Sequence, residues 1–381
     1  MNICARTNHR LVPPHAKHQQ NPELTALPGP SESFEGNSGH GSPWPALLAL
    51  GAATAGLAGC TGGPPPAAPT YAGVVVFDDF TNADSGTTHG ELVEKELTGR
   101  GSVCTAQPTS ARQQVSIGQS MERLDRGEPG ALDAYVLEHF VARVDNTTQG
   151  LQEQTSRGFR LVINQSQGAS ESRLVEALWG RTHDQAFRGR LSQQLGLETG
   201  VSDHDLMKAL LERVAQVHTQ APEIAAARHR LEAASARADE LGIIRVMSAG
   251  NQGQLYRTIT GLGLEVGPEF FRNELATHTT VLVGASDDAN GPAALASPMA
   301  GAVLAADGMD RPLCVDGNFG HHSGSSYAAP QGSRAFDKLL RQDPTLGRQE
   351  ALDKVLQQTI AKPGAESELG AGILPDRPLR G

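Results

Sequence analysis

The sequence predicts an α/β protein built on a doubly wound, mainly parallel sheet flanked by helices. Three features of the chain lead there. First, four runs of strand length, 73–77 (GVVVF), 159–163 (FRLVI), 243–247 (IIRVM) and 279–285 (TTVLVGA), are nearly continuous in apolar character rather than alternating. Strands buried on both faces read this way. Second, the segments between them are helical in pattern, and strands separated by helices argue for a parallel sheet. Third, the first three runs are followed by polar residues: Asp78-Asp79, Asn164-Gln165-Ser166 and Ser248-Ala249-Gly250-Asn251. In open α/β sheets, ligand and catalytic groups gather at the carboxyl ends of the strands.

Along the chain, residues 1–45 are polar, rich in Pro, Gly, Ser, Asn and His, and lack periodicity; they read as a disordered leader. Residues 46–60 begin with about 14 small apolar residues and end in Leu57-Ala58-Gly59-Cys60. That length fits a signal h-region and falls short of a membrane span. Residues 61–70 are Pro- and Gly-rich and read as a stiff tether. Residues 71–381 read as one folded domain. Residues 89–97 have helical spacing, with Leu92, Val93 and Leu97 on one side. The segment 206–241 is strongly helical, and Pro222 divides it in two. Two more helices are expected over 328–340 and 349–359. Residues 100–150 read as helix and loop without an assignable role.

Composition narrows the function. The 381 residues carry a formal net charge of −10, and basic runs are absent, which argues against a nucleic-acid partner. The four cysteines are too few for a disulfide scaffold, and none are spaced as metal ligands. Cys104 and Cys314 read equally as a disulfide in an oxidising compartment or as two buried thiols.

Five short segments carry chemistry: Val74-Val75-Val76-Phe77-Asp78-Asp79-Phe80, Thr88-His89-Gly90, Asn164-Gln165-Ser166-Gln167-Gly168, Ser248-Ala249-Gly250-Asn251 and Gly324-Ser325-Ser326-Tyr327-Ala328-Ala329-Pro330. Each alone has a plain structural reading, as a turn cap, a chance His-Gly, a strand-to-loop transition, a Gly-Asn turn and a Ser N-cap. In this order they supply a carboxylate, an imidazole, a substrate-binding strand, an amide donor and a hydroxyl, the set needed for acyl transfer by an activated serine. No Gly-x-Ser-x-Gly elbow occurs, which argues against a lipase or esterase.

On these segments the chain resembles the subtilisin-like serine proteases. Gly324 to Pro330 is similar to the family's Gly-Thr-Ser-Met-Ala-x-Pro, Ala249-Gly250-Asn251 to its Ala-Gly-Asn, and 164–168 to its Asn-x-Ser-x-Gly. Val283-Gly284-Ala285-Ser286 and the closing Gly370-Ala371-Gly372-Ile373-Leu374 extend the resemblance over about 71–374. It implies a subtilisin-like fold and serine endopeptidase activity. Ser326 is then the nucleophile, His89 the general base, Asp78 its orienting acid (with Asp79 as the backup) and Asn251 the oxyanion donor. Ser166 and Gly168 lie on the substrate-binding segment, whose backbone pairs with extended protein or peptide substrates. Pro330 is expected in the first turn of the nucleophile helix. Where the family has His-Gly-Thr-His, this chain has His89-Gly90-Glu91-Leu92, and Asp78 and His89 are only 11 residues apart, a gap that roughly 35 Å of extended chain can close. The alternative is a catalytically impaired relative that binds through its cleft.

No cofactor or catalytic metal is expected. The resemblance allows structural calcium, but no acidic loop is assignable to it. The segment 57–60 resembles a bacterial lipobox, which makes Cys60 a lipidation site. It implies a membrane-anchored lipoprotein of the bacterial cell envelope, or a secreted protein. Upstream, no Lys or Arg lies between Lys17 and Lys95, and a protein whose signal does not function would stay cytoplasmic.

Overall fold

A computed structural model describes residues 69–375, apart from 82, 85–86, 105–109, 115–120 and 289–290. The chain divides into Met1–Pro64 and Pro65–Gly381; the leader, the lipobox with Cys60 and most of the tether lie outside the described residues. Every described element belongs to the second unit.

In chain order the elements are β1 (Tyr71–Asp78), β2 (Ala83–Asp84), β3 (Thr87–Thr88), α1 (His89–Leu97), β4 (Ala111–Gln114), α2 (Glu122–Asp125), α3 (Ala131–Ser156) and β5 (Arg160–Gln165). Next come α4 (Glu171–Trp179), α5 (Gln185–Gln194), α6 (Asp203–Gln220), α7 (Pro222–Glu240), β6 (Ile244–Ser248), α8 (Gly253–Gly261), α9 (Pro268–Phe271) and β7 (Val281–Asp287). The chain continues through β8 (Gly291–Pro292), β9 (Leu304–Asp307), β10 (Arg311–Val315), β11 (Asn318–His322), α10 (Ser325–Gln342), α11 (Arg348–Leu356) and α12 (Glu366–Leu369). The main sheet runs β4-β1-β5-β6-β7-β8, with β9 also paired to β7. All of its pairings are parallel except β7 with β8. The four predicted central strands are therefore β1, β5, β6 and β7.

Alternate residues of these strands point into two separate cores, which is why the runs read as continuously apolar. Val75, Phe77, Leu161, Ile163 and Met247 face the helices α3, α4, α6 and α7. Val162, Ile244, Val246 and Val283 face α10 and α11. Helix α3 supplies the role missing for part of 100–150. Its buried Val136, Phe140, Val144 and Leu151 form one stripe. A Cβ on its Gly150 would lie 2.8 Å from the Phe77 ring, so glycine lets α3 sit directly on β1. Pro222 opens α7 at its first residue, as its missing N–H requires.

The topology positions a site. From β1 the chain leaves to β4 on one side and returns to β5 on the other, so the connections diverge at β1 and β5. That divergence makes a crevice at the carboxyl ends of the strands. Helices α1 and α10 pack against each other, and both begin at this edge. Cys104 and Cys314 form a disulfide, tying the loop after α1 to β10. Among the described residues, no helix is long and apolar enough to cross a membrane.

Candidate active site

Asp78 closes β1 and is fully buried. Its Oδ1 accepts three hydrogen bonds: from the Asp79 N–H at 2.8 Å, from Gln167 Nε2 at 3.0 Å and from His89 Nδ1 at 2.8 Å. Its Oδ2 is buried with no partner among the described residues. A buried carboxylate so placed favours a positive charge on the adjoining imidazole. Burial opposes that charge most strongly, but the charge of Asp78 and its hydrogen bond outweigh it. The His89 pKa is raised above its usual 6.5. Asp79, the alternative acid, caps the turn with its Oδ1, which accepts from the Thr81 N–H and hydroxyl and from Gln114 Nε2.

His89 is the first residue of α1, and a capping box holds it there. Thr88 Oγ1 accepts from the Glu91 N–H at 3.2 Å, and Glu91 Oε2 accepts from the Thr88 N–H at 2.8 Å. Glu91, which departs from the family's pattern, is the residue that closes this box. Gly90 lets the turn pass beneath Phe80, since a Cβ there would come within 2.7 Å of the ring. With Nδ1 held by Asp78, His89 Nε2 is left without a partner among the described residues.

Ser326 lies in the first turn of α10, which starts three residues before the expected 328. Pro330 sits in the second turn rather than the first. Lacking an N–H, it leaves the Ser326 carbonyl without its intrahelical donor. Ser166 Oγ fills that vacancy at 2.9 Å, and the Ser326 hydroxyl donates in return to the Ser166 carbonyl at 3.1 Å. Ser166 is further held by Asn164 Nδ2, and Asn164 Oδ1 accepts from Ser333 of α10. The Ser166 side chain is thus buried and committed to α10, while Gly168 remains partly open at the crevice.

The loop after β6 is tied to the same helix. The Ser325 N–H donates to Asn251 Oδ1 at 2.7 Å, and Ser325 Oγ accepts from the Gly250 N–H at 3.1 Å. Gly250 has φ of 123°, and a Cβ there would meet Gln252 Oε1 at 2.7 Å, so only glycine suits the bend. With its oxygen anchored, Asn251 presents Nδ2 as a donor without a partner among the described residues. The Ser326 N–H, in the first helical turn, is also uncommitted. Both line one cavity with Gly168.

The structure thus brings Asp78, His89, Ser326, Asn251 and Gly168 to one edge of the sheet. Asp78 and His89 are joined directly. His89 and Ser326 share no hydrogen bond; the His89 ring instead lies 6.1 Å, centroid to centroid, from the ring of Tyr327, which follows Ser326. Burial pushes the Tyr327 hydroxyl up to about 12, so the ring is a neutral wall. Sequence reasoning missed Gln167, the capping role of Glu91 and Arg173, which lines the cavity. The Thr-x-x-Glu spacing of 88–91 was the available signal for Glu91. Among the described residues, no cluster of three His, Cys, Asp or Glu could hold a metal ion.

No family model matches the chain, and no curated protein matches it in sequence. In structure the chain is similar to subtilisin-like serine proteases. The prenylagaramide maturation protease PagA is 16% identical, with 80% of this chain and 90% of that one covered at a TM-score of 0.40. The epidermin leader peptide processing serine protease EpiP from Staphylococcus aureus is 13% identical over 80% of this chain and 74% of that one, at a TM-score of 0.42. A cold-adapted subtilisin-like serine proteinase is 12% identical over 80% and 89%, at 0.39.

Proposed function

We propose that the chain is a serine endopeptidase acting on protein or peptide substrates. The observation that carries this reading is the 2.8 Å bond from buried Asp78 to His89 Nδ1, made at the edge where Ser326 and two uncommitted donors converge. Ser326 Oγ attacks the peptide carbonyl and His89 Nε2 takes its proton. Asn251 Nδ2 and the Ser326 N–H stabilise the oxyanion. His89 then returns the proton to the leaving amine, and water releases the acyl group by the reverse sequence. Asp78 holds the tautomer and stabilises the imidazolium. For this, the Ser326 hydroxyl must exchange its bond to the Ser166 carbonyl for one to His89. Catalytic hydrogen bonds of this kind commonly tighten only when substrate is bound.

One observation favours a second reading, a cleft that binds peptides without cleaving them: the nucleophile hydroxyl is committed to Ser166. A serine-directed fluorophosphonate separates the two. The protease reading expects covalent labelling at Ser326 and loss of casein hydrolysis, on the order of 10⁶-fold, in Ser326→Ala. Equal hydrolysis by variant and parent would end it, and absence of labelling would leave the binding reading.

Export and lipidation at Cys60 belong to the same proposal. The disulfide Cys104–Cys314 supports an oxidising compartment such as the bacterial cell envelope. A full-length Cys60→Ala protein is expected to leave the detergent phase; unchanged partitioning would refute the anchor.

A further inference from the structure

The cavity that holds the oxyanion donors also holds a cation without an ion-pair partner among the described residues. Arg173 lines it beside Ser326 and Asn251. Its guanidinium makes no hydrogen bond or ion pair with any described residue. Its position is electrostatically unfavourable. Arg173 is the third residue of α4, where its own N–H is capped by Ser170 Oγ at 3.1 Å. The first turn of a helix carries partial positive charge and disfavours cations. Burial acts in the same direction and is the largest influence lowering the Arg173 pKa.

Glu176 and Asp78 act on it through space without pairing with it. Glu176, one turn further along α4, accepts from Gln252 Nε2 at 3.0 Å and forms no ion pair with Arg173. Asp78 is bonded to His89. A buried cation, Arg143, donates to the Gly168 carbonyl at 3.0 Å on the same wall. A partly buried guanidinium without an ion-pair partner, close to a helix N-terminus, attracts a carboxylate.

The chemistry of the neighbouring wall fixes the place of the anion. A scissile carbonyl held by Asn251 and attacked by Ser326 brings the side chain of its own residue into this cavity. Solvent space there is small, about 20 Å³, which favours a short side chain over a long one. Resting on the peptidase reading above, we propose that Arg173 is a specificity-determining residue that selects a short acidic side chain, aspartate ahead of glutamate, on the acyl side of the cleaved bond.

The test profiles the full-length protein against internally quenched peptides that vary only at that position, with fluorophosphonate labelling of Ser326 run in parallel. The expected result is cleavage after Asp at least tenfold faster, in kcat/KM, than after Ala, Leu or Lys. Arg173→Gln is expected to lose Asp cleavage on the order of 10²-fold, as when one partner of a buried charge pair is removed. Arg173→Lys should restore part of it, and Arg173→Glu should turn the preference toward Lys and Arg. A labelled enzyme that cleaves after neutral or basic residues would overturn the inference and leave the peptidase reading intact. So would an acidic preference that survives Arg173→Gln, which would make Arg173 a structural counter-charge to Glu176. If the variants do not fold, the parent profile still tests the inference, since a preference for neutral or basic residues overturns it. A protein that neither labels nor cleaves would overturn both readings.

Discussion

Asp78 and His89 are joined by a short local excursion, whereas Ser326 and Asn251 are held by ties that cross the whole domain. The first pair is separated by 11 residues and fixed by a strand end, the pairing of β2 with β3 and one capping box. The second depends on Ser325 bonding back across 74 and 75 residues, and on Ser166 and Ser326 exchanging bonds across 160. The contrast separates local failures from global ones. Damage to the acid–base half is expected to spoil the imidazole while α10 stays in place. Damage to the nucleophile half is expected to release α10 from both β5 and β6 and to cost stability as well as rate.

The local half should give the greatest loss of rate. Asp78→Asn keeps the shape but presents the wrong hydrogen-bonding partner to Nδ1, and kcat is expected to fall about 10⁴-fold with little change in thermal midpoint. A fall of tenfold or less, in steady-state assays with the best peptide, would show that the acid does not orient the base. Next, Asn251→Ala removes both the proposed oxyanion donor and the acceptor for the Ser325 N–H. The expected loss is about 10²–10³ in kcat, with a drop of about 1 kcal/mol in denaturant-derived stability from the orphaned N–H. A change in KM alone would contradict the transition-state role. Least affected should be Glu91→Ala, which opens the capping box and costs about 1 kcal/mol. If the box positions His89, kcat falls as well and Glu91→Gln restores it; stability lost without rate would confine the box to holding the helix.

Much of the fold was legible because its strands are buried on both faces, which leaves a continuous apolar signature at β1, β5, β6 and β7. The hairpin β10–β11 escaped notice because β11 is largely exposed and neither strand alternates cleanly. The site motifs were legible where backbone geometry demands particular residues, as at Gly250 and the serines opening α10. Pro330 was placed a turn too early because the helix starts ahead of its apolar pattern, at Ser325. Glu91 read as a departure from a motif, since a motif compares letters and a capping box is a reciprocal pair of bonds. Arg173 could not be found at all from sequence. Its interest lies in the absence of an ion-pair partner among the described residues, and an absence becomes visible only when the surrounding side chains are in place.

The proposed mechanism turns on His89, poised by Asp78, activating Ser326. The decisive measurement is the pH dependence of the rate at which a fluorophosphonate labels Ser326. The imidazole accepts the serine proton only when neutral, and Asp78 holds its pKa above 6.5. The labelling rate is therefore expected to rise with pH through a midpoint above 6.5. In Asp78→Asn, with the raising charge gone and burial still acting, the midpoint should move to lower pH and the plateau should drop. Labelling that is absent, or that proceeds at a rate unaffected by pH or by Asp78→Asn, would contradict this role for His89.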